Sequence, residues 1–351
     1  MAHAFAMASL APVEHVTLLR RIVHAAFTVS RPELTTRVMG LEFPNPIGLA
    51  GGFDKNARRA RALSALGFGY LELGTVTARA QEPNPSPNLF RLPADRALIN
   101  RLGFPNEGAH PVTERVQRIR RAIPVPVGIS IGKSRSVPLD PLHGVVADYL
   151  ASFRAARAHA DFVVVNVSSP NTAGLRSMQG QELARTLLGA IAEENATGTR
   201  VPLLVKIAPD LDDAELEALL DVVCECELDG VVATNTTIAR TGLATDAAAV
   251  AAIGAGGLSG PPLRARALQI VQRVRTRIGP HRALIGVGGI ESADDALAMM
   301  RAGADLVQLY TSFIYRGPSI VRSLATALAD ATAQSGAKSL AEFTRSSWPA
   351  S

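Results

Sequence analysis

From about Val38 onward the chain repeats one pattern: a short apolar run, a turn rich in Gly or Asn, then a stretch with apolar residues at helical spacing. The apolar runs are N-P-I-G-L-A-G from Asn45, Y-L-E-L-G-T from Tyr70, P-V-G-I-S-I-G from Pro126 and F-V-V-V-N from Phe162. They continue with P-L-L-V-K-I from Pro202, D-G-V-V-A-T-N from Asp229, A-L-I-G-V-G-G from Ala283 and D-L-V-Q-L-Y from Asp305. Nearly continuous apolar runs of this length predict parallel strands covered on both faces. Alternation with helices calls for a parallel sheet, and eight units predict a closed (β/α)8 TIM barrel over an open doubly wound sheet. No linker interrupts the series, so residues 38–351 are expected to form one barrel.

Two segments break the pattern. Between the second and third strands, P-N-P-S-P-N-L-F-R-L-P through N-R-L-G-F-P-N is too rich in Pro and Asn for a helix. It is expected to lie over the carboxyl end of the barrel, where loops build the site. Ahead of the barrel, residues 1–37 form an extension. Val16, Leu19, Ile22, Val23, Ala26 and Phe27 recur at helical spacing, with Arg20, Arg21 and His24 among them. That is a short amphipathic helix, suited either to docking on the barrel or to resting on an anionic membrane surface. Met1 to Val13 is apolar but has no basic residues before it, and Glu14 follows at once, so no secretory signal is expected. No run approaches the ~20 apolar residues needed to cross a bilayer.

Composition narrows the field. With 47% hydrophobic and 19% charged residues, the 351-residue chain is a folded globular protein with a substantial core. Cys224 and Cys226 sit in C-E-C at the end of a helical stretch; two cysteines make neither a disulfide framework nor a four-ligand zinc site, and no metal is expected. The net charge of +5 comes from arginines spaced along helices beside acids, and aromatic residues are only 5%, so no nucleic-acid surface is expected.

The chemistry gathers at the strand ends. Phe162 to Arg176 reads F-V-V-V-N-V-S-S-P-N-T-A-G-L-R, an apolar strand breaking into amides and hydroxyls that suit a planar, hydrogen-bonding substrate. Lys206, flanked by apolar residues on a central strand, needs a partner: an anionic ligand is the natural one, with a structural carboxylate as the alternative. Glycine clusters ending at Gly260 and at G-V-G-G-I from Gly286 allow backbone N–H groups close to an anion, the usual phosphate position of this barrel. No G-x-G-x-x-G follows the first strand and no Walker lysine is present. Phosphate at one end, a buried lysine and a set of asparagines together suggest FMN across the barrel mouth beside a small polar ring.

Taken together, G-G-F-D-K-N, N-R-L-G-F, N-V-S-S-P-N-T-A-G-L-R, V-K-I-A-P-D, A-T-N-T-T, G-G-L-S-G, G-V-G-G-I and L-V-Q-L-Y-T resemble dihydroorotate dehydrogenase over almost the whole chain. A serine in the position of the base resembles the class 2, quinone-reducing type, since class 1 members carry cysteine there. The resemblance implies oxidation of dihydroorotate to orotate in pyrimidine biosynthesis, with ping-pong transfer to a quinone. Ser169 would take the C5 proton while hydride leaves C6 for FMN, and Thr172 and Phe104 would frame the proton relay. The N-R-L-G-F run of Asn100, Arg101, Leu102, Gly103 and Phe104, with Lys55, Asn166, Asn171, Asn235 and Thr236, would hold the substrate. FMN would contact Gly51, Gly52, Phe53, Asp54, Lys55, Thr75, Ser130, Asn166, Lys206, Thr234, Gly260, Gly289, Tyr310 and Thr311. The amino-terminal helix would serve as quinone entrance and peripheral foot on the cytoplasmic side of the cell membrane. Ser130, Pro105 and Thr311 depart from the residues usual in the family, Asn, Asn and Ser. The alternatives are a class 1-type FMN barrel using fumarate or NAD, and a catalytically silent flavin-binding homologue; Ser169 argues against the first, and Ser169, Lys206 and the asparagines together against the second.

Overall fold

The computed structural model describes residues 7–348. Eight parallel strands close into a barrel: β1 (Ile47–Leu49), β2 (Tyr70–Val76), β3 (Val127–Ile131), β4 (Phe162–Asn166), β5 (Leu203–Ile207), β6 (Gly230–Ala233), β7 (Ala283–Val287) and β8 (Leu306–Leu309). Seven fall within the apolar runs predicted from the sequence, and β2 runs one residue past its run, to Val76. Neighbours in the chain are neighbours in the barrel, and β8 closes on β1 with Val307 opposite Ile47. Asn166 stands opposite Lys206, and Lys206 opposite Val232, so side chains of β4, β5 and β6 end at one level.

The lower interior is filled by large side chains facing small ones. Phe43, Tyr70 and Phe162 interlock edge to face at centroid separations of 5.4 and 6.2 Å. A Cβ at Gly48 would fall 2.2 Å from the Tyr70 ring, and one at Gly128 2.2 Å from that of Phe162, so these two strands need glycine where the rings pass. The hairpin Thr36–Val38 with Leu41–Phe43 delivers Phe43 and closes the amino-terminal end. Outside, the strands are sealed by helices such as Asp213–Glu225, which starts in a capping box of Asp212 and Glu215. Cys224 and Cys226 are free thiols at that helix's end.

The insertion after β2 does lie over the carboxyl end. It also forms strands that the sequence did not predict: Leu89–Leu92 and Ala97–Asn100 pair as a hairpin, and Gly257–Ser259 adds to its edge. The third strand comes from a distant part of the chain, so local composition carries no trace of the pairing.

Among its described residues the extension includes the helices Ala11–His15 and Thr17–Phe27. Glu14 pins them to the barrel: its buried carboxylate accepts from Arg61 Nε at 2.8 Å and from the N–H of Ala62 at 2.9 Å. The expectation for Met1 to Val13 falls partly outside the described residues.

Candidate functional site

The carboxyl ends of the strands surround a cleft of about 1000 Å³ including its open mouth. Polar side chains line one flank. Asn235 Nδ2 donates to Asn166 Oδ1 at 3.3 Å and to Ser168 Oγ at 3.0 Å, and Asn166 Nδ2 donates to Thr75 Oγ1 at 3.2 Å. Thr75 in turn bonds the buried Ser130 hydroxyl at 2.9 Å. Across the mouth, Asn171 Nδ2 donates to Asn100 Oδ1 at 2.9 Å, joining the insertion to the loop after β4. Each amide is therefore oriented before any ligand arrives, which lowers the cost of binding one.

Ser169 lies in this flank, only 5% exposed, and its Oγ accepts from the N–H of Asn171 at 3.2 Å. The charged residues lining the cleft are Lys55, Lys206 and Glu291, and Glu291 is engaged by Arg96 at 2.8 Å. Among the described residues no histidine lines it. Phe104 also lines the cleft, with a φ of 52° that a bulky side chain rarely adopts.

The opposite flank is built of backbone. Gly260 has φ 108°, and a Cβ there would fall 2.9 Å from Arg96 O; at Gly289, with φ 70°, it would fall 2.7 Å from Arg264 Cβ. These glycines expose main chain beside Thr311, whose hydroxyl donates to Ser259 Oγ at 2.8 Å, at the start of helix Thr311–Arg316. The N–H groups of a first helical turn have no intrahelical partner, so this flank suits an anion.

Two lysines reach the cleft. Lys55 donates from Nζ to Gly52 O at 2.5 Å, and burial lowers its pKa to about 8 against the opposing pull of Asp54. Lys206, 5% exposed, does not wait for a ligand: Nζ stands 3.4 Å from Oε1 of the fully buried Glu72 on β2. This corrects the expectation that an anionic ligand is its natural partner; a structural carboxylate already meets it.

Most of the residues expected at the site do line the cleft: Gly51, Gly52, Lys55, Thr75, Asn100, Leu102, Gly103, Phe104, Asn166, Ser169, Asn171, Lys206, Thr234, Asn235, Thr236, Gly260, Gly289, Tyr310 and Thr311. Five others stand behind it. Arg101 donates to Ile253 O and stacks on Phe90; Phe53 packs edge-on to Tyr310 and Phe313. The Asp54 carboxylate, its pKa raised by burial, accepts from the N–H groups of Arg58 and Arg59. Ser130 acts through Thr75, and Thr172 is buried in the loop that carries Ser169. The sequence reading missed Glu72 and Gln308. A carboxylate inside Y-L-E-L-G and an amide inside D-L-V-Q-L-Y, each in an otherwise apolar strand, were the signals available.

A profile described as Dihydroorotate dehydrogenase matches residues 33–331. The chain is 50% identical over 345 residues to a protein of Thermobifida fusca (strain YX) named "Dihydroorotate dehydrogenase (quinone)", covering 97% of this chain and 91% of that one. A protein of Nocardioides sp. (strain ATCC BAA-499 / JS614) with the same name is 50% identical over 330 residues, covering 87% and 93%. Among solved structures, DHODH from Eimeria tenella in complex with ferulenol superposes with a TM-score of 0.84 at 34% identity, over 93% of each chain.

Proposed function

The chain belongs to the dihydroorotate dehydrogenase family, and we propose that the cleft is where it binds its flavin as FMN and sets Ser169 against the substrate. The protein is a flavin-dependent oxidoreductase that oxidises dihydroorotate to orotate in pyrimidine biosynthesis with a quinone as acceptor. One observation carries the site reading: a cleft with main-chain glycines at one flank and pre-oriented asparagines at the other, with Lys206 and Ser169 in its walls.

The residues present fit a phosphate-bearing flavin. Side chains at Gly260 and Gly289 would collide with their surroundings, so main chain stays open to a phosphate. Gln308 lines the cleft and its buried Oε1 has no partner among the described residues, which leaves an acceptor for a ring N–H. Gly51, Gly52, Lys55, Thr75, Asn166, Lys206, Thr234, Gly260, Gly289, Tyr310 and Thr311 would hold the group directly; Phe53, Asp54 and Ser130 would support it. Bound there, the flavin supplies two-electron chemistry between dihydroorotate and the quinone.

The protein's own part is placement and proton transfer. Asn100, Asn166, Asn171, Asn235 and Thr236 grip the ring and hold it flat, and Leu102, Gly103 and Phe104 cover it, with Arg101 bracing that loop. Ser169 Oγ receives the C5 proton, and Thr172 and Phe104 screen its path to solvent. The test is a visible spectrum: the purified protein is yellow, and dihydroorotate bleaches it without oxygen. A colourless protein carrying no FMN would overturn the cofactor assignment.

Lys55 gives the substrate carboxylate its counter-charge. With a pKa of about 8, it is a cation below that pH and loses its charge above it. Orotate binding is expected to weaken about tenfold per pH unit above the pKa, since the neutral amine offers the carboxylate no ion pair. Spectral titration between pH 6 and 10 measures this, and Lys55→Met should bind weakly and flatten the profile; an unchanged slope in that variant assigns the titration elsewhere.

Residues 1–37 serve, on this reading, as a quinone entrance and peripheral membrane foot on the cytoplasmic side, beside the barrel of 38–351. Among the described residues, Val16, Leu18 and Ile22 are 50%, 69% and 57% exposed, three of the four large apolar side chains so exposed, and Arg21 is exposed beside them. Leu19 and Val23 face the barrel instead. Burying each free apolar side chain contributes about 2 kcal/mol, so Leu18→Asp with Ile22→Asp should weaken binding to anionic vesicles at least about tenfold. Flavin bleaching by dihydroorotate should be untouched; undiminished co-sedimentation would place the foot elsewhere. No helix among the described residues is long and apolar enough to cross a membrane.

A further inference from the structure

Barrel interiors of this type are filled with layers of branched apolar side chains. Here the layer directly beneath the cleft is polar. Glu72 from β2, Lys206 from β5 and Gln308 from β8 meet inside the barrel, 0%, 5% and 2% exposed. Glu72 Oε1 stands 3.4 Å from Lys206 Nζ, and its Oε2 accepts from Gln308 Nε2 at 2.7 Å. The carboxylate fixes which way the amide points, because a Gln308 oxygen turned toward it would be repelled. Consequently Gln308 Oε1 is the atom left without a donor, in a residue that lines the cleft.

A buried ion pair is weak evidence for stability, since an apolar pair of similar volume does as well or better. Its position suggests another purpose. The turn carrying Lys55 passes over the carboxylate so closely that a Cβ at Gly51 would fall 2.2 Å from Glu72 Oε1. Glu72 is thus in contact with the cleft floor, and Lys206 and Gln308, the two side chains it holds, both line the cleft.

We propose that Glu72 is a positioning residue for the redox chemistry: it draws the Lys206 ammonium to one place in the wall of the cleft where the flavin would bind and offsets part of its charge. The pair, and not the lysine alone, then sets how strongly the site favours reduced over oxidised flavin. This rests on the flavin reading above. An isolated ammonium in the cleft wall would favour the more negative, reduced form of a flavin bound there; the neighbouring carboxylate would temper that preference.

The test is the midpoint potential of the bound flavin. Glu72→Gln keeps the shape and removes the negative charge, and the potential is expected to rise by about 30 mV, the two-electron equivalent of a tenfold shift toward the reduced form. Glu72→Asp, which keeps the charge but withdraws it by one methylene, should raise it by less. A second measurement separates positioning from mere structure: titration of apoprotein with FMN, followed by flavin fluorescence, across a cycle with Lys206→Met. Glu72→Gln should change the dissociation constant at least about fivefold when Lys206 is present and less than about twofold when it is Met. With Met at 206 there is no ammonium for residue 72 to place, so exchanging its side chain there changes little. An unchanged or lowered potential in Glu72→Gln, or equal effects in both backgrounds, overturns the proposal. Should Glu72→Gln not fold, the same measurements on Glu72→Asp decide. Wild-type protein without flavin would sink the cofactor reading instead, so the two failures are distinguishable.

Discussion

Ser169→Ala is expected to yield a yellow, flavin-loaded protein that dihydroorotate no longer bleaches at neutral pH, with the reductive half-reaction slowed by about 10²–10⁴-fold. The size follows from what surrounds the hydroxyl. Ser169 Oγ accepts a hydrogen bond from the N–H of Asn171, and among the described residues the ionisable side chains lining the cleft are two lysines, Tyr310 and the arginine-paired Glu291. A serine hydroxyl is a weak base, so its value lies in position, held by a buried turn next to a substrate it need not search for. Removing it takes away the placed proton acceptor and nothing from the glycine flank that would bind phosphate. The variant should therefore keep its colour and lose its chemistry. Stopped-flow bleaching without oxygen measures this, and hydroxide should restore part of the rate as the pH rises. Bleaching at the wild-type rate would show that the base lies elsewhere.

Lys206→Ala should purify largely colourless and be less stable by roughly 3–5 kcal/mol, the cost of leaving a buried charge without its partner. Loss of colour follows from losing the ammonium that, on the proposed reading, meets the flavin. Loss of stability follows from Glu72, which stays fully buried while only Gln308 still donates to it. Without the ammonium, the burial of that charge is no longer offset by an opposite one. Lys206→Met with Glu72→Leu removes both charges and should recover most of the stability without recovering the colour, which separates the two roles. Denaturation curves and the flavin-to-protein absorbance ratio report them independently. Stoichiometric FMN in Lys206→Ala would refute the contact.

Much of this protein can be read along the chain, because the properties concerned are local. A run such as F-V-V-V-N buries both faces of a strand whatever it packs against, and eight such runs alternating with helices leave few ways to close a sheet. Serine, asparagines and glycines at the strand ends follow directly, because a parallel barrel delivers every strand end to the same rim. The placing of Asn166, Ser169 and Lys206 at one cleft required no more than that.

Other features were decided only by the folded structure, wherever the partner is distant in sequence. Nothing near Lys206 announces Glu72, and nothing near Ala97–Asn100 announces that Gly257–Ser259 will edge the hairpin; both pairings depend on barrel closure. Arg101 and Asp54 belong to motifs that the resemblance assigned to the site, yet their side chains turn to backbone groups behind it. Residue order determined which groups reach the rim. Tertiary packing decided which of them face the cleft and which are spent on one another, because a buried charge or amide takes the nearest complementary partner in space, however far away it lies along the chain.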